Sequence, residues 1–288
     1  MEQHGRSSDR FLSRASALVF LASVALAGCG GGGADAAAGA PAMGEDAGAD
    51  ADAGALDAAV ASDADAGAVD GVWAVLTAGS RVVELPVVGQ STSVTRTWLR
   101  VVAAAGADGV ALSGEVCGTD LDTGTTLVQI ILPDAFVSAL AWAPRVAAFD
   151  GATLDVGEVI ELRGVALASP GTDALPTTES DPRAVDQDQD GNPGMTLRAK
   201  GIVDGEMWVV ERDRTSWRVA LAGDRLDGRY TWDAEQNILH TDNPLLATPN
   251  PSAPDPDASH SYVRGTRVAP SVDCAAILSS RDALFARP

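Results

Sequence analysis

Apolar and polar positions alternate with a period near two through much of residues 72–268, and turn-forming residues punctuate the runs at short intervals. That is the pattern of half-buried strands joined by tight connections. Val72 to Thr77 and Arg81 to Val88 carry β-branched residues between turn formers, and Thr92 to Ala104 forms a longer run around Trp98. Ala107-Asp108-Gly109 turns that run back into Val110 to Cys117, as in a hairpin. Thr125 to Leu132 and Val156 to Ala168 are further strands. Between them a short helix is expected over Pro133 to Ala141, because proline fits a first helical position and Asp134 suits the positive end of a helix. The clearest hairpin is Met195 to Val203, the turn Asp204-Gly205, and Glu206 to Arg212. Ser216 to Ala222, the turn Gly223-Asp224, and Arg225 to Trp232 form the next, with Ile238 to His240 extending the meander. Asn243 to Asp257 holds five prolines, too many for a central strand, and reads as an exposed loop. Tyr262 to Val268 is a last strand, and residues 272–286 a short helix or two turns.

About ten short strands with one or two short helices predict an all-β fold, an antiparallel barrel or sandwich. The consecutive hairpins of residues 195–240 favour an up-and-down barrel. A membrane-spanning barrel is not expected, since its strands need alternation over roughly ten residues each.

The first 71 residues follow another pattern. Arg6, Arg10 and Arg14 precede an apolar run, Ala15 to Ala25, that falls short of the about 20 residues a bilayer-spanning helix needs. A charged start, a short apolar core and small residues before a cysteine make a secretory signal. Leu26-Ala27-Gly28-Cys29 resembles the lipobox of bacterial lipoproteins. By that resemblance residues 1–28 are a signal peptide cut before Cys29, which carries the lipid, and Gly30 in place of aspartate favours the outer membrane. The competing reading is an uncleaved signal anchor with Cys29 an ordinary thiol. Residues 30–71 are almost entirely Gly, Ala and Asp, with nine acids, no Lys or Arg and no aromatic residue. Such a segment buries too little apolar surface to offset chain entropy, so a disordered tether is expected over residues 29–71, spanning about 35 Å.

Residues 72–288 are then one β-rich globular domain. It holds 29 acidic and 17 basic residues, a net charge of −12, which disfavours nucleic acid and anionic lipid as partners. Cys117 and Cys274 are the cysteines left after lipidation, and in an exported chain an even pair reads as a disulfide. Two separate buried thiols are the alternative.

Site chemistry concentrates in Asp186-Gln-Asp188-Gln-Asp190-Gly191-Asn192-Pro193-Gly194. Alternate aspartates around a glycine turn can converge oxygens on Ca²⁺, and the first six positions match the start of an EF-hand loop. The match ends at Leu197, where a bidentate glutamate belongs, and a strand follows instead of a helix. Asp186, Asp188, Asp190 and Asn192 are therefore candidate ligands of a calcium-type loop short of oxygens, with water, Glu179 or Asp181 as helpers. Its task would be to order Ser169 to Asn192. An acidic turn whose aspartates cap backbone amides explains the same residues.

The loop, the Met195-Thr196 that follows it, Gly201-x-x-Asp-Gly-Glu-x-Trp, Glu211-Arg-x-Arg-Thr, Leu85-Pro-Val-Val-Gly89 and Asp273-Cys274 together resemble a group of uncharacterised lipoproteins of GC-rich Gram-negative bacteria. That resemblance implies location and architecture and no activity. No His-Glu-x-x-His or Gly-x-Ser-x-Gly motif occurs, and catalysis by Asp120 and Asp122 is no better supported than a loop. Trp73, Trp98, Trp208, Trp217 and Trp232 read as core packing or as the lining of an apolar or sugar site inside a barrel. The expectation is a non-enzymatic, lipid-anchored envelope protein whose barrel binds a ligand or surface partner. Its rivals are an exported hydrolase acting on envelope or scavenged polymers and a purely structural module.

Overall fold

Several strands in the computed structural model run longer than their sequence patterns, and others stop short of them. Residues 67–288 are described, apart from 86–87, 250–251 and 287–288, so the expected signal peptide, Cys29 and the expected tether up to residue 66 lie outside the described residues. The strands are β1 (Gly71–Leu85), β2 (Gly89–Gly106), β3 (Gly109–Asp122), β4 (Val128–Ile131), β5 (Arg145–Phe149) and β6 (Thr153–Arg163). They continue as β7 (Met195–Gly201), β8 (Gly205–Ala222), β9 (Arg225–Thr241), β10 (Ser252–Pro254) and β11 (Tyr262–Val268). Helices α1 (Asp134–Ala139), α2 (Cys274–Ser279) and α3 (Arg281–Leu284) are short.

Eight strands close a ring: β1-β2-β3-β5-β6-β8-β9-β11 and back to β1, every neighbouring pair antiparallel. This is the expected all-β fold in its up-and-down barrel form. Two insertions leave the ring. β7 extends the first residues of β8 and carries β4 on its far edge, making a flap. β10 pairs with Arg81 to Val83 at the end of β1, where its exposed edge tolerates proline.

Several boundaries differ from expectation. Gly67–Val69, inside the stretch assigned to the tether, belong to the fold: their 3-10 turn buries Val69, whose carbonyl accepts from Trp73 Nε1 at 2.8 Å. Ala78-Gly79-Ser80 does not break β1, because Gly79 makes room for an indole: a Cβ there would come within 2.9 Å of Trp232 Nε1. Likewise Asp213-Arg214-Thr215 does not interrupt β8, and Asp233 to Asn237 does not interrupt β9: Asp213, Thr215 and Gln236 face a cavity, Arg214, Glu235 and Asn237 have partners, and Asp233 is exposed. Pro133 caps α1 and is not its first residue.

Three bulges decide which side chains face inward. Cys117 on β3, the Gly157-Glu158 step on β6 and Leu239 on β9 are extra residues that their partner strands do not match. Each reverses the alternation, as a bulge must. On β3 the inward set passes from Val110, Leu112 and Val116 to Thr119, Leu121 and Thr123; on β6 it passes from Leu154 and Val156 to Val159, Glu161 and Arg163.

One end of the barrel is plugged by a core that includes Trp73, Val75, Leu99, Val110, Val156 and Val219. Outside β1 to β3, helices α2 and α3 set Ile277 and Phe285 against Ala74, Leu76 and Trp98. There Cys117 and Cys274 form a disulfide with Cα atoms 4.8 Å apart, joining positions 157 residues apart in sequence. The Cys117 bulge turns this thiol out of the barrel toward the helix. At the opposite end, α1 and the β4–β7 flap pack Phe136 with Met195, Leu197 and Met207. The irregular chain from 164 to 194 covers the outside of β8 and β9 through Val165, Leu175, Val210 and Leu239. Arg212 fastens it by donating to the carbonyls of Pro170 and Asp173.

Candidate functional site

Above the plug the barrel is not filled. An eight-stranded barrel has an interior that side chains can just fill, or that holds one small ligand. Here a cavity of about 540 Å³ remains, within the range of sites for small organic molecules. Its walls are inward positions of the ring strands together with α1 and the β4–β7 flap.

A charged belt crosses the cavity. Arg145 of β5 donates to Glu161 of β6 at 2.8 Å, and its guanidinium lies 4.0 Å from the ring centre of Trp142. Trp142 in turn sits 5.8 Å from Trp217, ring centre to ring centre. Arg163, two residues after Glu161 and on the same face, pairs with Glu211 at 2.8 Å, with Asp213, and with Glu161 at 3.7 Å. Burial alone would lower the pKa of Arg163, yet the surrounding Asp213, Glu211 and Glu161 hold it well above the usual range. Asp213 is pushed up to about 7 by burial, against the attraction of Arg163 and with the help of Glu211 and Glu161. The Tyr230 hydroxyl beside them is raised by burial, then by Asp213 and Glu161, and stays protonated. Two guanidiniums thus face three carboxylates, and burial favours the protonated form of Asp213, which reduces the excess negative charge.

Beyond the belt the lining changes. Along β1 the inward positions run Thr77, Gly79, Arg81, Val83 and Leu85. Arg81 stacks 4.5 Å over Trp232 and forms no ion pair among the described residues. Its Nε is buried without a hydrogen-bond partner, as are the indole N–H groups of Trp217 and Trp232. Past Arg81 the wall is mostly apolar, with Phe136 and Leu140 from α1 and the residue after it, Ile130 from β4, Leu197 from β7, Met207 from β8 and Leu246, and with Thr123, Gln236 and Ser252 among them.

The acidic loop is a second cluster, outside the barrel. Oxygens of Asp186, Asp188 and Asp190 all lie within 4.8 Å of one another, and the three carboxylates could hold a metal ion. All three also accept from backbone amides. Asp186 accepts from the backbone N–H of Asp190 and Gly191, and Asp190 from that of Asn192. Asp188 is 7% exposed; its Oδ2 accepts from the Thr196 amide at 2.9 Å, while its Oδ1 has no hydrogen-bond partner. Burial raises its pKa, and the charges of Asp190 and Asp186 add to the rise. Burial also pushes on Asp190, but hydrogen bonds, including the one from the Asn192 amide, bring it below the usual value. Gln189 takes a left-handed φ of 58° between them. Glu179 and Asp181 do not help: Glu179 lies 3.2 Å from His240, and Asp181 is bound to Arg183 at 2.6 Å.

The tryptophans divide between the two roles that the sequence left open. Trp217 and Trp232 line the cavity, Trp73 plugs the barrel, Trp98 lies under the C-terminal helices, and Trp208 stacks outside on His240 at 4.2 Å. Asp120 and Asp122 belong to the outer face of β3, near Arg96, and do not reach the cavity. Reading the sequence missed Trp142 and the whole belt. A signal existed: Glu211 and Asp213 share the parity of Met207, Val209, Trp217 and Val219 along β8, which marks them as inward. For Glu161 and Arg163 the bulge at Gly157-Glu158 erased that signal. Compared with protein-family models, curated proteins and solved structures, the chain gives no match.

Proposed function

We propose that this is a lipid-anchored, exported binding protein whose barrel encloses a small organic ligand. The supporting observation is the 540 Å³ cavity, which joins an apolar lobe to a polar, aromatic and charged one. A structural module would gain more from a filled interior, because packing contacts and buried apolar area both stabilise. Cys29 carries the lipid and the Gly/Ala/Asp-rich segment after it holds the barrel off the outer membrane. A neutral fluorescent probe, N-phenyl-1-naphthylamine, tests the binding reading. It should bind one per chain and lose its site in Ala234→Trp, which fills the cavity from β9. Absence of stoichiometric binding in the wild-type protein would leave the structural module. For the anchor, Cys29→Ser should abolish lipid labelling and release the protein into the soluble fraction; a mature chain beginning elsewhere would refute it.

One observation favours a hydrolase as the second reading. Asp213, raised to about 7 beside Glu211, has the pairing of a protonated and an ionised carboxyl that acid–base chemistry uses. Against it, Arg163 engages both groups. Turnover of glycoside substrates that disappears in Asp213→Asn would support this reading over simple binding.

For the acidic loop the reading is a structural Ca²⁺ site. It is supported by three converging carboxylates, a hard-oxygen donor set, and the unpartnered Oδ1 of Asp188. Asn192 enters through its amide to Asp190.

A further inference from the structure

We propose that the cavity takes an acidic amphiphile, a long-chain carboxylate, with its anionic head on the guanidinium of Arg81 and its chain among Phe136, Leu140, Met207 and Leu246. The proposal rests on the reading of the barrel as a ligand-binding domain and names the ligand's class. Charge pairing decides the sign of the head. Each belt carboxylate already has a guanidinium: Glu161 has Arg145, and Glu211 and Asp213 have Arg163. A cationic head would have to share Glu211 or Asp213 with Arg163, which already engages both. Arg81 is the cavity-lining cation that no carboxylate neutralises among the described residues. Asp255, which follows β10 alongside it, is taken up by the Ser80 hydroxyl and by His260, both at 2.8 Å.

The stacking on Trp232 holds one face of the guanidinium and leaves its charge in place, since an aromatic ring attracts a cation without neutralising it. Arginine stays charged in such a site and offers a fork of donors matched to a carboxylate. Position then decides the body of the ligand. Arg81 stands between hydroxyl-bearing Thr77 and apolar Val83 and Leu85 on one strand, so a head bound there directs its chain into the apolar lobe. A wholly apolar ligand would leave the buried Nε of the half-buried Arg81 unanswered; a wholly polar one would leave the lobe unfilled.

Calorimetry on the purified full chain with three probes that share a twelve-carbon chain, each kept monomeric, separates the possibilities: dodecanoate, neutral dodecanol and cationic dodecyltrimethylammonium. Dodecanoate should bind one per chain and tighter than either of the others by about tenfold or more, the yield of one charge-assisted pair. Arg81→Gln should bring dodecanoate down to the affinity of dodecanol and leave dodecanol unchanged. Equal binding of dodecanoate and dodecanol, or tighter binding of the cation, overturns the acidic head while the cavity reading stands. Failure of all three probes overturns both. If Arg81→Gln does not fold, the ranking on the wild-type protein decides alone.

Discussion

The side-chain amide of Gln187 donates a 2.9 Å hydrogen bond to the carbonyl of Ala139, fastening the acidic loop to the end of α1, which lines the cavity. The other end of the same amide accepts from the backbone N–H of Gly164 at 2.7 Å. One side chain thus joins three segments that meet nowhere in sequence. Gln187→Ala should cost about 1–3 kcal/mol, since it strands two part-buried backbone groups. Denaturant unfolding measures the loss, and faster amide exchange at Val137 and Leu140 would locate it at α1. Unchanged exchange there would mean that Phe136 alone holds the helix.

The Cys117–Cys274 bridge closes a loop of more than 150 residues around most of the barrel. Chain-entropy arguments put such a constraint at about 5 kcal/mol. Reduction, or the Cys117→Ser and Cys274→Ser pair, should lower stability by that order while the β-signature in circular dichroism persists. In the native protein neither thiol should react with an alkylating agent without reductant.

Asp213 links stability to pH with an unusual sign. In the unfolded chain it titrates at about 3.9; in the barrel burial moves it up to about 7. The folded state therefore holds the extra proton across this window. The contribution is fully present below pH 4 and is lost as pH rises through 7. Asp213→Asn, which mimics the protonated form, should match the wild type below pH 4 and exceed it by a margin that grows from pH 4 to pH 7 and holds at pH 8. A difference independent of pH would show that Arg163 keeps Asp213 ionised throughout.

Calcium should raise the melting temperature through Asp186, Asp188 and Asp190. Binding to the folded state alone gives about 2.7 kcal/mol at 100 times the dissociation constant. Asp188→Asn is the informative variant, because asparagine keeps an oxygen for the Thr196 amide while removing the buried charge. It should fold and lose the calcium response. No heat and no thermal shift at millimolar ion would leave the loop as an amide-capping turn.

Strand identity was legible wherever alternation was local. Met195 to Arg212 and Ser216 to Trp232 show their hairpins in the order of apolar residues, and Ala107-Asp108-Gly109 shows its turn, because such pairings need only neighbouring residues. The oxidised pair could be read from Cys117 and Cys274 by counting, and the acidic loop from the spacing of Asp186, Asp188 and Asp190. Other features were hidden. β5 was overlooked because five residues around Arg145 carry little pattern, and the strand exists through its partners β3 and β6.

By itself the sequence determined an all-β chain, its main turns, its cysteine pair and a converging set of aspartates, since each depends on residue type at short spacing. Ring closure, the inward belt of Arg145, Glu161, Arg163, Glu211 and Asp213, and the unpaired charge of Arg81 were decided by the tertiary structure. Pairing of β11 with β1 sets side chains more than 170 positions apart side by side on one wall, and bulges at Cys117, Gly157-Glu158 and Leu239 choose which positions of their strands look inward. A bulge is one residue unmatched by a partner strand, so it has no signature until the partner is in place.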